Sequence, residues 1–550
     1  MTWLIGSQGV RPVGSWPGVA SKPSRPSASA ASDSDIADDD PARRSVGTVG
    51  HDGREATAPR VLSGLAGALL VFLSSGAVLV LELSALRLLA PYLGLTLEMS
   101  TAVIGVALAA IAFGTWAGGR SADRVDPARA LGPLLVAGGV LIWLVLPAVR
   151  GVGELVATQE LSLVLLMAVV TLFVPAALLS AVTPMVIRLE LRDLDRTGSV
   201  VGRLSAVGTL GALLATFVTG FVLFALVPTS HILVVLGAVV LLAGAVLLGW
   251  QARRRAVAVG AAAAATVGVL ALATPAACEA ETQYHCANVV VDETRPTGRV
   301  LVLDRLRHSY VDTDDPTHLE FAYVRSIAAG IDAAFPAAEP LDVLHVGAGG
   351  MTLPRYLAQT RPGSTGRVLE IDEGVLDLVR GRIGPEPPGV DVTVGDARVG
   401  LAQQPGGTYD AVIGDAFGSV AVPWHLATKE AVELVDRSLR PGGVYALNVI
   451  DQPPLALLRA QVATVRSVFP HVVAVSEPST FSGEEGGNAV LLASGTPLPV
   501  DRLKALLDER DQALGVLAGA SLDAFVGSAS VLIDDLAPVD QLLTPYVVER

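Results

Sequence analysis

Five apolar runs in the second half of this chain each end in residues that can do chemistry. The first, Leu341 to Val346, ends in Gly347-Ala348-Gly349-Gly350. A glycine turn at the end of a buried strand lets a ligand approach the backbone. The second ends at Glu370-Ile371-Asp372, about 20 residues further on, the spacing of an acid that accepts both hydroxyls of a ribose. The third, Val390 to Val394, ends at Gly395-Asp396-Ala397, where an adenine amino group would be met. The fourth, Tyr409 to Gly414, ends at Asp415, and the fifth, Gly443 to Ile450, ends at Asp451. A carboxylate at Asp415, beside a bound sulfonium, can hold an attacking amine and take its proton. Plainer readings of the same residues are a doubly wound fold without such a site, and an Asp415 that caps the segment after it.

The elements that must position these residues alternate between apolar runs and amphipathic stretches. That alternation predicts a doubly wound α/β sheet with ligands at the C-terminal strand ends. Before it, over 278–340, Asn288–Val291, Arg299–Leu303 and Ser309–Val311 read as short strands of a small β domain, followed by a helix from Thr317 to Phe335. After Asp451 we expect a helix (Leu455 to Val468), a strand (Val472 to Val475), a glycine-rich loop and a last strand (Ala489 to Ala493), forming a hairpin edge. Arg502 to Leu517 reads as one amphipathic helix within a C-terminal segment, 501–550.

The first half is of another kind. Of the 550 residues 51% are hydrophobic, and mean hydropathy is +0.55, too apolar for an ordinary soluble enzyme. Residues 1–59 are rich in Ser, Pro, Ala and Asp and read as a disordered tail. Residues 60–277 read as seven membrane spans, near 61–84, 98–118, 130–149, 161–187, 204–228, 230–250 and 255–276. Pro175 and Pro184 predict a kink in the fourth. Glu82 lies inside the first, where an ionisable group is costly. Arginines crowd alternate loops: Arg120, Arg124 and Arg129; Arg188, Arg192, Arg196 and Arg203; Arg253 to Arg255. The positive-inside rule then places those loops and the N-terminus in the cytoplasm. An odd number of crossings puts the C-terminal half outside. Cys278 and Cys286, with seven residues between them, can bridge there or remain two thiols. A net charge of −14 argues against a nucleic-acid partner, and no residue cluster has metal-ligand spacing.

Together these residues resemble the polyamine aminopropyltransferase family, which includes spermidine synthase, and the chain as a whole resembles its membrane-fused bacterial branch. The shared stretches are Thr282-Gln283-Tyr284-His285, Gly298 to Asp304, the glycine turn, Glu370-Ile371-Asp372, Gly395-Asp396-Ala397, Tyr409 to Asp415 and Pro423 to Glu430, with Asp534-Asp535 and Pro538 near the end. The resemblance implies a Rossmann-like, spermidine synthase-type domain over 341–500 behind the small β domain. It implies decarboxylated S-adenosylmethionine as co-substrate, no prosthetic group, and putrescine or a related amine as acceptor. Glu370 would hold the ribose, Asp396 and Ala397 the adenine, with Pro423 lining that pocket. Gly347 and Gly349 would let the donor approach, His285 would stand where the family has a cofactor-binding Gln, and Asp415 would accept the proton. Soluble relatives pair through the β domain, so a homodimer is implied as well.

The sequence departs from that family on the amine side. The glycine-loop Asp reads Gly350, the Tyr-His-Glu of the β-domain helix reads Tyr323-Val324-Arg325, and the second Asp after the fourth strand reads Gly418. Asp314, Asp315, Glu320, Asp534 and Asp535 are the candidates to replace them. Two other readings stay open: a membrane transporter or sensor with a catalytically degenerate domain, and a methyltransferase using intact S-adenosylmethionine.

Overall fold

The computed structural model describes residues 63–93, 97–153, 161–191, 196–250, 268, 278–418, 422–510 and 513–543. The expected disordered tail, the seventh span, Arg192 and Arg253 to Arg255 lie outside these residues.

Six described helices are long and apolar enough to cross a membrane, judged by length and composition: Gly64–Tyr92, Met99–Ala122, Pro127–Gly151, Leu165–Glu190, Thr197–Leu226 and Thr229–Gly249. They match the first six expected spans. The fourth is interrupted, as its prolines imply: a π-turn over Val169–Phe173 precedes Pro175, and the helix breaks again at Ala181. Glycine lets the helices close on one another. A Cβ on Gly211 would lie 2.4 Å from the Phe72 carbonyl, and one on Gly114 would lie 2.1 Å from that of Ala177.

Beyond the bundle, β1 (Ala280–Glu281), β2 (Cys286–Val291), β3 (Gly298–Leu303) and β4 (Leu306–Asp312) form an antiparallel sheet in sequential order. Cys278 and Cys286 are joined by a disulfide, with Cα atoms 5.4 Å apart. The helix after this sheet runs from Ala322 to Ala334, starting later than expected. Pro316 and an Asp315 side chain that bonds the Thr317 amide hold the preceding residues in a turn.

The main sheet has eight strands. Its five parallel members are β5 (Asp342–Val346), β6 (Thr365–Glu370), β7 (Val390–Val394), β8 (Tyr409–Gly414) and β9 (Leu439–Asp451). β10 (His471–Ser476), β11 (Gly487–Ser494) and β12 (Gly515–Ala518) complete it antiparallel, in the order β12-β10-β11-β9-β8-β5-β6-β7. The strand order reverses between β5 and β8, so their C-terminal ends open onto a crevice. Apolar side chains fill both faces: Leu344, Val412, Leu447 and Leu491 on one, Val343, Ile413, Ala446 and Leu492 on the other. The expected hairpin edge is present. The single helix expected over Arg502–Leu517 is not: the helix covers Val500–Glu509, and Gly515–Ala518 becomes the edge strand β12. Pairing with β10 satisfies the backbone there, and Gly515 lacks the side chain that a helix would use.

The two halves meet through β1. Arg87, near the end of the first helix, donates to the Thr282 carbonyl. Arg150, near the end of the third, pairs with Glu281 at 3.5 Å. Ser230, at the start of the sixth, donates to the same carboxylate from its amide (3.2 Å) and hydroxyl (3.1 Å). The α/β half therefore sits on the bundle face where the first and third helices end and the sixth begins. Arg188, Arg203 and Arg129 pair with acids at the other end of the bundle.

Candidate active site

The crevice is a cavity of about 780 Å³, and its wall includes every residue given a donor-binding or proton-accepting role from the sequence: His285, Gly347, Gly349, Glu370, Asp396, Ala397, Asp415 and Pro423. The glycine turn is required by a close crossing. Gly347 has φ +98°, and a Cβ there would lie 2.5 Å from the Asp415 carbonyl. The tips of β5 and β8 therefore touch only because Gly347 has no side chain.

Glu370 ends β6 and reaches back under the turn. One carboxylate oxygen accepts from the Ala348 amide at 2.9 Å and the other from the Asp372 amide at 2.9 Å. Each oxygen keeps a second acceptor site on a residue that lines the cavity, enough for a donor pair such as a diol. Burial pushes its pKa up, and the two amide bonds oppose the shift. Behind it, Asp372 caps the next helix and accepts from Thr282 Oγ1 at 2.5 Å and from His285 Nδ1 at 3.1 Å. Burial would lower the His285 pKa, but the bond to Asp372 and the nearby acids outweigh it and raise it. His285 is thus fixed on the cavity wall by its bond to Asp372. His308, whose ring centroid lies 6.4 Å away, goes the other way. Burial and the charge on His285 push it down to about 4, and its Nε2 has no hydrogen-bond partner.

On the far side of Glu370, Asp396 caps the helix Ala397–Ala402 with one oxygen and meets His425 Nε2 at 3.1 Å with the other. The segment carrying Pro423 and His425 is tied down from the C-terminus. Asp534 accepts from Arg398 (2.8 Å) and Thr428 (2.6 Å), and Arg398 bonds the His425 carbonyl at 3.0 Å. Asp534 is therefore a strut for this rim and does not line the cavity. Asp315 is likewise engaged by Arg295 and Thr317, and neither Asp314 nor Asp535 reaches the wall; of the proposed replacements only Glu320 does.

Asp415 lies beside the glycine turn, at the tip of β8. Its carboxylate accepts from Asn448 Nδ2 at 2.9 Å and Tyr323 Oη at 3.3 Å. Asn448 is itself oriented by Asn488 at 3.0 Å. Burial pushes the Asp415 pKa up to about 6 against both hydrogen bonds. Burial, then the Asp415 charge, raises Tyr323 well above its ordinary value, so the phenol stays a donor. Near neutral pH this is an ionised, weakly solvated acceptor, arranged to take a proton. The capping reading of Asp415 finds no support, since its side chain bonds to Asn448 and Tyr323.

Asn448, Asn488, His308 and His425 were not singled out as site residues, and Tyr323 was noted only as part of an altered motif. Asn448 carried the best available signal. It lies on a strand next to Asp415's, three residues before Asp451, in an otherwise apolar run. A lone amide there needs a buried partner.

No family model matches this chain. It is 32% identical over 193 residues to the polyamine aminopropyltransferase of Vibrio vulnificus (strain CMCP6), covering 34% of this chain and 61% of that one. It is 29% identical over 220 residues to the spermidine synthase of Coffea arabica, covering 39% and 67%. The chain thus spans about half to two thirds of the curated relatives it matches. Among solved structures it is similar to a probable spermidine synthase from Corynebacterium glutamicum ATCC 13032, at 27% identity and TM-score 0.45, over 48% of this chain and 99% of that one.

Proposed function

We propose, because this chain belongs to the polyamine aminopropyltransferase (spermidine synthase) family, that it is a membrane-anchored transferase moving the aminopropyl group of decarboxylated S-adenosylmethionine to putrescine or a related amine. The observation that carries this reading is the joint placement of Glu370, Asp396 and Asp415 around one cavity. Glu370 accepts the ribose hydroxyls with its remaining lone pairs. Asp396, Ala397 and Pro423 form the adenine end, and His425 holds the Asp396 carboxylate. His285 completes the wall beside the ribose. Asp415, aimed by Tyr323 and Asn448, takes a proton from the amine. The amine nitrogen then bonds to the propyl carbon while the carbon–sulfur bond breaks, its electron pair returning to sulfur. The leaving group is a neutral thioether, so it needs no acid.

The test is the purified full-length protein with labelled donor and a panel of amines. Amine-dependent release of methylthioadenosine is the expected result. Release of adenosylhomocysteine from intact S-adenosylmethionine would replace this reading with methyl transfer. Nucleoside binding without release of either product would leave a transporter or sensor.

The proposed division is a bundle over 60–277 bearing a β domain (278–340) and the transferase domain (341–500). The proposed orientation follows from charge: the arginine-rich end of the bundle faces the cytoplasm and the transferase half lies on the other side. A reporter enzyme active only outside the cytoplasm, fused after Arg550, is expected to be active. An inactive fusion, with an active one placed in the Arg120–Arg129 loop, would reverse the orientation.

A further inference from the structure

We propose that the acceptor is a primary monoamine with an uncharged body, in preference to a diamine. This rests on the aminopropyl-transfer reading and narrows its substrate class. Beyond Asp415, the acceptor half of the cavity is built from one face of the sheet. The register of β8, β9, β11 and β10 places Ile413, Asn448, Ile450, Asn488, Val490 and Val475 there, all on the cavity wall. That surface is apolar apart from two amides, and these bond to each other.

Among the described residues five carboxylates line the cavity: Glu320, Glu370, Asp396, Asp415 and Glu477. Glu370 and Asp396 belong to the nucleoside side. Glu320 is exposed and meets His318 at 3.2 Å; Glu477 is exposed at the mouth. Only Asp415 is an interior acid on the acceptor side, and no other carboxylate acts on its ionisation. Three arginines, Arg305, Arg307 and Arg325, are among the residues lining the same cavity. One amine loses its charge to Asp415 before it attacks. The second ammonium of a diamine would have to leave water for Val475, Val490 and Ile450, with no buried anion to meet it. A methyl group there instead gains from burial. The chemistry is unchanged: the monoamine nitrogen forms the new bond to the propyl carbon, the thioether leaves, and the proton goes to Asp415.

n-Butylamine and putrescine differ only at the distal end, so they isolate this claim. With the full-length protein and saturating donor, kcat/KM for methylthioadenosine release should be at least tenfold higher with n-butylamine. A preference for putrescine overturns the monoamine assignment and leaves aminopropyl transfer intact. Release with neither amine, nor with any other amine, removes both. Asn488→Asp, which puts an anion at the distal end, should move the ratio tenfold or more toward putrescine. Glu477→Gln should leave the ratio where it is; a shift away from putrescine would show that the mouth acid supplies the second anion, and would overturn the proposal.

Discussion

Asp415→Asn is expected to lower turnover about 10²–10⁴-fold, the range supplied by a positioned general base. Affinity for methylthioadenosine stays near wild type. The amide keeps the size of the carboxylate, its carbonyl oxygen can still accept from Asn448, and its NH₂ can donate to a Tyr323 hydroxyl that rotates to accept, so the wall is preserved while the proton acceptor is gone. The two readouts separate chemistry from structure: equal losses of turnover and nucleoside binding would make Asp415 a structural residue. The wild-type pH profile carries the same signature. Because the Asp415 pKa is raised to about 6, the ionised form that can accept a proton is present above that value and is lost as pH falls through it. Turnover at saturating amine is therefore expected to fall below about pH 6. An ordinary carboxylate would hold its activity roughly two units lower.

Glu370→Gln has its effect on binding. Hydrogen bonds to a charged acceptor are worth about 1.5–3 kcal/mol, so weakening of about 10- to 100-fold is expected in a calorimetric titration with methylthioadenosine. A second cause adds to the first. Both Glu370 oxygens accept from backbone amides, of Ala348 and Asp372. A glutamine must turn its NH₂ toward one of them, donor facing donor, and the glycine turn loosens. Unchanged affinity would remove the ribose assignment.

The strand tips were legible because each is a local pattern: an apolar run, then a polar residue that the run cannot bury. The switch from β5 to β8 follows from the alternation of strands and helices, and it alone brings Glu370, Asp396 and Asp415 together. The partners that aim these acids were not legible. Tyr323 comes from the helix after the small sheet, Asn448 from β9 and Asn488 from β11. Their meeting depends on the register between β9 and β11, which are not consecutive strands, and on how the Ala322–Ala334 helix packs, which no local pattern shows. Asp534 was misread for a related reason. An acid near a family motif invites a role in binding, but Arg398 and Thr428 reach it first. β12 was read as helix because its few residues fit either period, and only an open sheet edge decides between them.

The fastening of Glu281 and Thr282 to three helices has a mechanical outcome. Thr282 takes Arg87 on its carbonyl and Asp372 on its hydroxyl, so the first helix and the helix after Glu370 pull on the same residue. A sideways slip of that first helix would tug on Thr282, and through Asp372 on His285. In the proposed membrane-anchored transferase, lateral pressure in the lipid would have a short route to the nucleoside end of the cavity.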